Sequence, residues 1–272
     1  MSEFAIILPE AGTPEGQRLF EMLLLQKYKD IQVYVPAAVF SSLGEVDDRL
    51  TVRPYEGEPL KTFFPAETWT LLLKSDISLG PKAFSRMHDS MENHPGYDVF
   101  HWNLQKDLPQ FPHKLSAGRF FKETAVKETP APLSSFLFRT DVLQTRIAAD
   151  PDIAAMPAAL ILSCAGEAGI RTVRHERCTW QAPSPEAREE NIRARLAYFH
   201  WTERHFGSDY PLDTGDRLAL FAATVVRLYP DSTPDQLKEE MMSFSVSSGP
   251  IRKMRANSAL KGALQRRIEA LK

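Results

Sequence analysis

Apolar positions along this chain follow two periods, and the switches between them outline its elements. Residues 3–8 (Glu3-Phe4-Ala5-Ile6-Ile7-Leu8) form an unbroken apolar run ended by Pro9, which reads as a buried first strand. Residues 14–27 carry Leu19, Phe20, Leu23 and Leu24 at helical spacing, with Thr13 as the capping residue and Pro14 at the first helical position. Lys29 to Val35 then alternates as a strand and stops at Pro36. Strand, helix and strand in this order predict parallel pairing through a right-handed crossover. Residues 49–53 read as a third short strand. Residues 54–68, rich in Pro, Glu and Phe, read as loop.

Residues 69–104 are the most informative stretch. An apolar run, Trp69 to Leu73, meets an acid, Asp76; a Gly80-Pro81 turn follows. Ala83, Phe84, Met87 and Met91 then mark one face of a helix, and Val99 to Leu104 a second apolar strand. In α/β folds ligands bind outside the carboxyl ends of strands, so Asp76 stands where a site is expected. Residues 105–130 are polar and broken by Pro109, Pro112 and Pro130, which predicts an extended connection. Residues 132–147 read as strand then helix. A helix over 155–168 is expected to stop at Gly169, with a strand from Ile170 to His175. From 185 onward, residues 186–205, 213–228, 234–243 and 256–271 all show helical spacing. The expected organisation is an α/β domain over 1–180 and a helical C-terminal region over 181–272.

Several local strings carry a resemblance. Gln26-Lys27-Tyr28-Lys29-Asp30-Ile31 fits a Gln-x-Tyr-x-x-Ile step, Leu73-Lys74-Ser75-Asp76-Ile77 stands at a strand end before Pro and a helix, and Phe136-Leu137-Phe138-Arg139 fits Phe-x-Phe-Arg. In this order they resemble the family 2 glycosyltransferases. The resemblance implies a GT-A fold: a mainly parallel sheet flanked by helices, here with a helical C-terminal region. It also implies a nucleotide-sugar donor, a glycan or lipid precursor as acceptor in cell-surface polysaccharide synthesis, and Mg or Mn as cofactor.

The same strings depart from the family at its acids. Where the family has Leu-Asp-x-Asp-Asp, this chain keeps Asp76 alone. Val33-Tyr34-Val35-Pro36-Ala37-Ala38 replaces Val-Asp-Asp-Gly-Ser, and the Glu-Asp pair that supplies the base falls on Pro157 and Ala158. Asp152 is the nearby candidate base. Two functional readings follow: a hexosyltransferase-like enzyme with impaired acidic motifs, or an inactive pseudo-glycosyltransferase that serves as a binding or partner subunit.

Each candidate residue has a functional and a structural reading. Asp76 is a metal or phosphate-side acid, or it caps the loop and the following helix; one carboxylate alone is a poor magnesium or manganese site. Lys74 places an ammonium near a diphosphate, or is a solvated strand-end lysine. Pro9, at the end of the first strand, and His101, beside Trp102, complete the donor-side candidates. His101 faces the sugar or is a core histidine. His88 and His94 read as surface residues and His175 as a strand-end residue.

Composition narrows the class. Of the 272 residues, 43% are hydrophobic and 25% charged, as in ordinary globular proteins, and the net charge of -2 gives no attraction to nucleic acid. Cys164 and Cys178 read as buried thiols, so the expected compartment is the cytoplasm. No basic-then-apolar leader and no apolar run of about 18–20 residues is visible, which limits membrane association to a peripheral one at the inner face. The C-terminal stretch joins Arg252, Lys253, Arg255, Lys261, Arg266 and Arg267 to an apolar row of Leu260, Leu264, Ile268 and Leu271. Such a helix packs on the domain, pairs with a partner protein or a second copy, or touches a membrane surface.

Overall fold

The computed structural model describes residues 3–41, 50–104, 110–121, 123–124, 131–174 and 178–180, together with 197–198, 201–202, 204–205, 222 and 262–263. The chain separates into two compact units, Met1–Ala182 and Pro183–Lys272.

The first unit opens with β1 (Phe4–Ile7), α1 (Pro14–Leu24), β2 (Ile31–Pro36), α2 (Ala37–Phe40) and β3 (Thr51–Tyr55). β4 (Trp69–Leu72), β5 (Ile77–Ser78), α3 (Ala83–Asn93) and β6 (Val99–Trp102) follow. The rest comprises β7 (Lys114–Leu115), α4 (Ala117–Phe121), β8 (Phe136–Arg139), α5 (Thr140–Ala149), α6 (Pro157–Ala165), β9 (Ile170–Val173) and β10 (Thr179–Trp180). Eight strands form one sheet in the order β3-β2-β1-β4-β8-β6-β9-β7. Six of them point the same way; β8, lodged between β4 and β6, and the edge strand β7 run against the rest. This is a mixed, mostly parallel α/β sheet flanked by helices, and it is GT-A-like. A two-stranded ribbon pairs β5 with β10.

Period-2 alternation sorts the side chains. Phe4, Ile6 and Leu8, Ile31, Val33 and Val35, Trp69, Leu71 and Leu73, and Phe100 and Trp102 belong to one buried cluster. Leu19 and Leu23 of α1 and Ala83, Phe84, Met87 and Met91 of α3 close it. Edge-on contacts Phe4–Phe84 and Phe84–Trp102, both at 5.4 Å, sit at its centre, and the Trp102 indole donates to the Ala83 carbonyl at 3.3 Å. The alternate residues, including Ala5, Ile7, Tyr34, Thr70, Val99, His101, Phe136 and Phe138, occupy the other face. Pro54 is tolerated in β3 because β3 is an edge strand.

Local expectations hold where the chain itself dictates them. The Thr13 hydroxyl accepts the Gly16 N–H at 3.0 Å, with Pro14 in the first turn of α1. Four readings need correction. The expected helix over 155–168 is a 3₁₀ turn at Pro151–Ala155 followed by α6, which ends at Ala165 with Gly166 at φ 53°. The expected strand to His175 ends at Val173; His175 lies outside the described residues. The stretch read as an extended polar connection contains β7 and α4, because Phe111, Leu115, Phe120 and Phe121 are all buried. His88 is not a plain surface residue: its Nδ1 lies 2.8 Å from the Glu3 carboxylate, which the Tyr28 hydroxyl also contacts.

The four helices expected beyond 185, and the basic residues from Arg252 to Arg267, lie almost wholly outside the described residues. Those that are described there are helical. In that unit Tyr198, Trp201 and His205 follow helical spacing, with Trp201 and His205 stacked at 4.2 Å. Among the described residues, no helix is long and apolar enough to cross a membrane.

Candidate functional site

The site is built at the carboxyl ends of β1, β2 and β4. The ladder runs one residue past β1 and β4: the Leu8 N–H donates to the Tyr34 carbonyl at 2.8 Å and the Leu73 N–H to the Ile7 carbonyl at 2.9 Å. Leu8, Val35 and Leu73 therefore reach the same edge. Pro9 has no N–H to continue the ladder, so the chain turns away there and presents Glu10.

Glu10 was not apparent from the sequence. Its carboxylate accepts the Ser75 N–H at 2.9 Å, which ties the loop after β1 to the loop after β4. Its carbonyl accepts from the Thr13 N–H at 2.9 Å and from the Thr13 hydroxyl at 2.9 Å. Gly16 makes this possible, since a Cβ there would meet the Glu10 carbonyl oxygen at 1.9 Å. Ser134 was also missed. Its hydroxyl accepts the Lys74 N–H at 3.1 Å and stands near the Asp76 carboxyl, whose pKa it lowers. Ser134 is buried in the 3₁₀ turn before β8, so the reversed strand delivers it to this edge. The only signal in the sequence was position: both residues adjoin strand ends that meet in space.

Thus Glu10, Lys74, Ser75, Asp76 and Ser134 come together, with Pro9 at the base. Lys74 is exposed and Asp76 half-buried. Burial raises Asp76 above the ordinary carboxylate range; the Ser134 hydroxyl and the Lys74 ammonium pull it down, and Glu10 pushes it further up. Asp76 Oδ1 is sealed from solvent and without a hydrogen-bond partner. The unpartnered oxygen is thus closed to an incoming ion, and a lysine stands beside it. Among the described residues, no group of three or more His, Cys, Asp or Glu converges to hold a metal. This donor set does not fit a resident magnesium or manganese ion.

The remaining candidates stand apart. Asp152 is exposed in the 3₁₀ turn before α6. Pro157 and Ala158 open α6 and offer no carboxylate. His101 is in the core, 1% exposed, with its ring 4.5 Å from that of Phe136 and 4.9 Å from that of Phe111. Its burial follows from alternation along β6, which sets it on the same face as Val99.

Near the end of β2 stands Tyr34. Its hydroxyl donates to both oxygens of the buried Glu67 at 3.0 Å, and burial together with this contact holds the phenol up at about 12. Phe63 packs on Tyr34 and stacks on Tyr55 at 4.9 Å. The region read as loop thus brings one acid, Glu67, against Tyr34, already engaged by its phenol.

No protein-family model matches the chain, and no curated protein matches it. Among solved structures it is similar to the crystal structure of S. aureus TarS, a glycosyltransferase, at 14% identity and a TM-score of 0.50. The match covers 97% of this chain and 49% of that one, so the chain spans about half the length of that protein. At this identity the likeness is one of fold.

Proposed function

We propose that this chain is a glycosyltransferase-like protein that binds a nucleotide sugar at the carboxyl ends of β1, β2 and β4. The observation that carries the reading is the convergence of Lys74, Ser75, Asp76, Ser134 and Glu10 at that edge of a GT-A-like sheet. In this reading the exposed Lys74 ammonium meets the donor's diphosphate, where a divalent ion would otherwise neutralise charge. Glu10 and Ser134 hold the loop that carries it. Sugar transfer to a glycan or lipid acceptor is the activity in keeping with the fold.

A second reading, a binding or partner subunit without turnover, is favoured by one specific feature. The start of α6 offers Pro157 and Ala158, not an acid, so no side chain there can take the acceptor proton. Loss of a positioned base costs about 10²–10⁴-fold in rate. The test is direct: titrate the full chain with a panel of nucleotide sugars, with and without manganese, and follow transfer and hydrolysis. Manganese-independent binding with slow or no turnover supports the proposal. No binding to any donor overturns it.

A further inference from the structure

On the opposite face of the sheet, three neighbouring polar side chains are buried with unmet hydrogen-bonding atoms. His101 is 1%, Thr172 2% and Asn103 5% exposed. Both His101 ring nitrogens, Thr172 Oγ1 and Asn103 Oδ1 lack partners. His101 and Thr172 are register partners on β6 and β9, and the Asn103 N–H continues that ladder to the Val173 carbonyl at 3.0 Å. Native interiors rarely leave such groups unpaired.

Over them lie the Phe111–Phe121 segment and, against β6, α6. Phe111 lies edge-on to His101, Phe120 tilts against Phe111 at 5.7 Å, and Phe120 meets Phe136 at 6.0 Å. With rings at 4.5 and 4.9 Å from the imidazole, the corner holds no ligand between them. Polar fastenings join it to the sheet, among them the His113 ring Nδ1 at 3.4 Å from the Thr172 carbonyl oxygen. Asn103 Nδ2 donates to the Phe111 carbonyl at 3.3 Å, the Thr172 N–H donates to the His113 carbonyl at 2.9 Å, and β7 pairs with β9 over two residues.

We propose that the Phe111–Phe121 segment is an acid-released cover on the β6–β9 side of the sheet, with His101 as its proton sensor. The closed cover tolerates only the neutral imidazole, because a cation there would sit among phenylalanine rings with two unmet N–H groups. Burial lowers His101 to about 3. The titratable groups on the surrounding elements are His113, Lys114 and Arg119 of the cover, Glu123 just beyond it, Arg171 on β9, Arg139 at the end of β8 and Cys164 on α6. When the cover lifts, the ring returns to the ordinary histidine range near 6.5. The sign follows. A histidine lowered in the closed state gives closure its full stability above pH 6.5, and that stability is lost as pH falls toward 3.

The test is amide hydrogen exchange on the full chain from pH 7.5 to 4.5, corrected for the intrinsic pH dependence of exchange. The opening constant of residues 111–121 should rise by up to tenfold per pH unit below about 6.5. Amides of α1 and α3 should not follow it. His101→Phe should remove the dependence, and His101→Leu serves if the larger ring does not fold. NMR of the wild-type imidazole keeps the proposal open to refutation without a variant: His101 should stay neutral to about pH 4. Protection that does not change with pH, a dependence that survives in either variant, or a His101 ring that titrates near 6.5 would overturn it.

Discussion

The Ser75 N–H donates to the Glu10 carboxylate at 2.9 Å across two loops that leave the sheet from neighbouring strands. This bond fixes the chain between Lys74 and Asp76, the two residues on which the donor-site reading depends. It is a charge-assisted bond at a half-buried position, so it is worth more than a neutral one.

Glu10→Gln keeps the shape and removes the charge. It should lower stability by about 1–2 kcal/mol in urea unfolding. It should also lower the pKa of Asp76, because Glu10 is one of the groups that hold it up. Carboxyl NMR titration of Asp76 in both proteins checks the second outcome; an upward shift would contradict the electrostatic arrangement.

Gly16→Ala tests the packing beneath that bond. The added Cβ cannot coexist with the Glu10 carbonyl at 1.9 Å, so α1 or the loop must move. A loss of about 1–3 kcal/mol is expected despite the better helix propensity of Ala. Thermal unfolding measures it, and a gain in Tm would show that the loop does not lie against the helix.

Asp76→Asn should stabilise the protein at neutral pH. A carboxyl raised in the folded state favours folding only when protonated, so its charge opposes folding once pH exceeds the folded value. The Tm difference between variant and wild type should be positive at pH 7 and shrink as pH falls toward 4. A variant less stable than wild type at pH 7 would mean that the ionised carboxylate is held by partners stronger than Ser134 and Lys74.

Tyr34→Phe removes the only hydroxyl seen to reach Glu67 among the described residues, leaving a carboxylate that is 7% exposed. A loss of about 1–3 kcal/mol is expected in urea unfolding at pH 7. A variant as stable as wild type would show that the phenol hydroxyl does not hold Glu67.

What the sequence made legible was what depends on neighbours along the chain. Phe4, Ile6 and Leu8, then Leu19 and Leu23, then Ile31, Val33 and Val35 declare strand, helix and strand by period alone, and the Asp76 loop follows from the same logic. Glu10 and Ser134 were invisible because their partners are distant in sequence: Glu10 meets Ser75 through the pairing of β1 with β4, and the return of β8 brings Ser134 to Lys74. The burial of Phe111 and Phe120 was hidden for a similar reason. Their polar flanks read as a connection, while their partners, His101 and Phe136, lie on other strands. His101 illustrates the limit most directly. Alternation set its side of β6, but only the assembled sheet shows that this side is closed by aromatic rings.

In the proposed reading Lys74, not a divalent ion at Asp76, meets the charge of a nucleotide diphosphate at this edge. The measurement that tests it most directly is calorimetric titration of wild type, Lys74→Ala and Asp76→Ala with the nucleotide sugar that binds best, with manganese and with a chelator. The expected result is equal wild-type affinity in both conditions and a loss of about tenfold or more in Lys74→Ala, equivalent to one charge-assisted contact. Binding that needs manganese, disappears in Asp76→Ala and is unaffected in Lys74→Ala would contradict it.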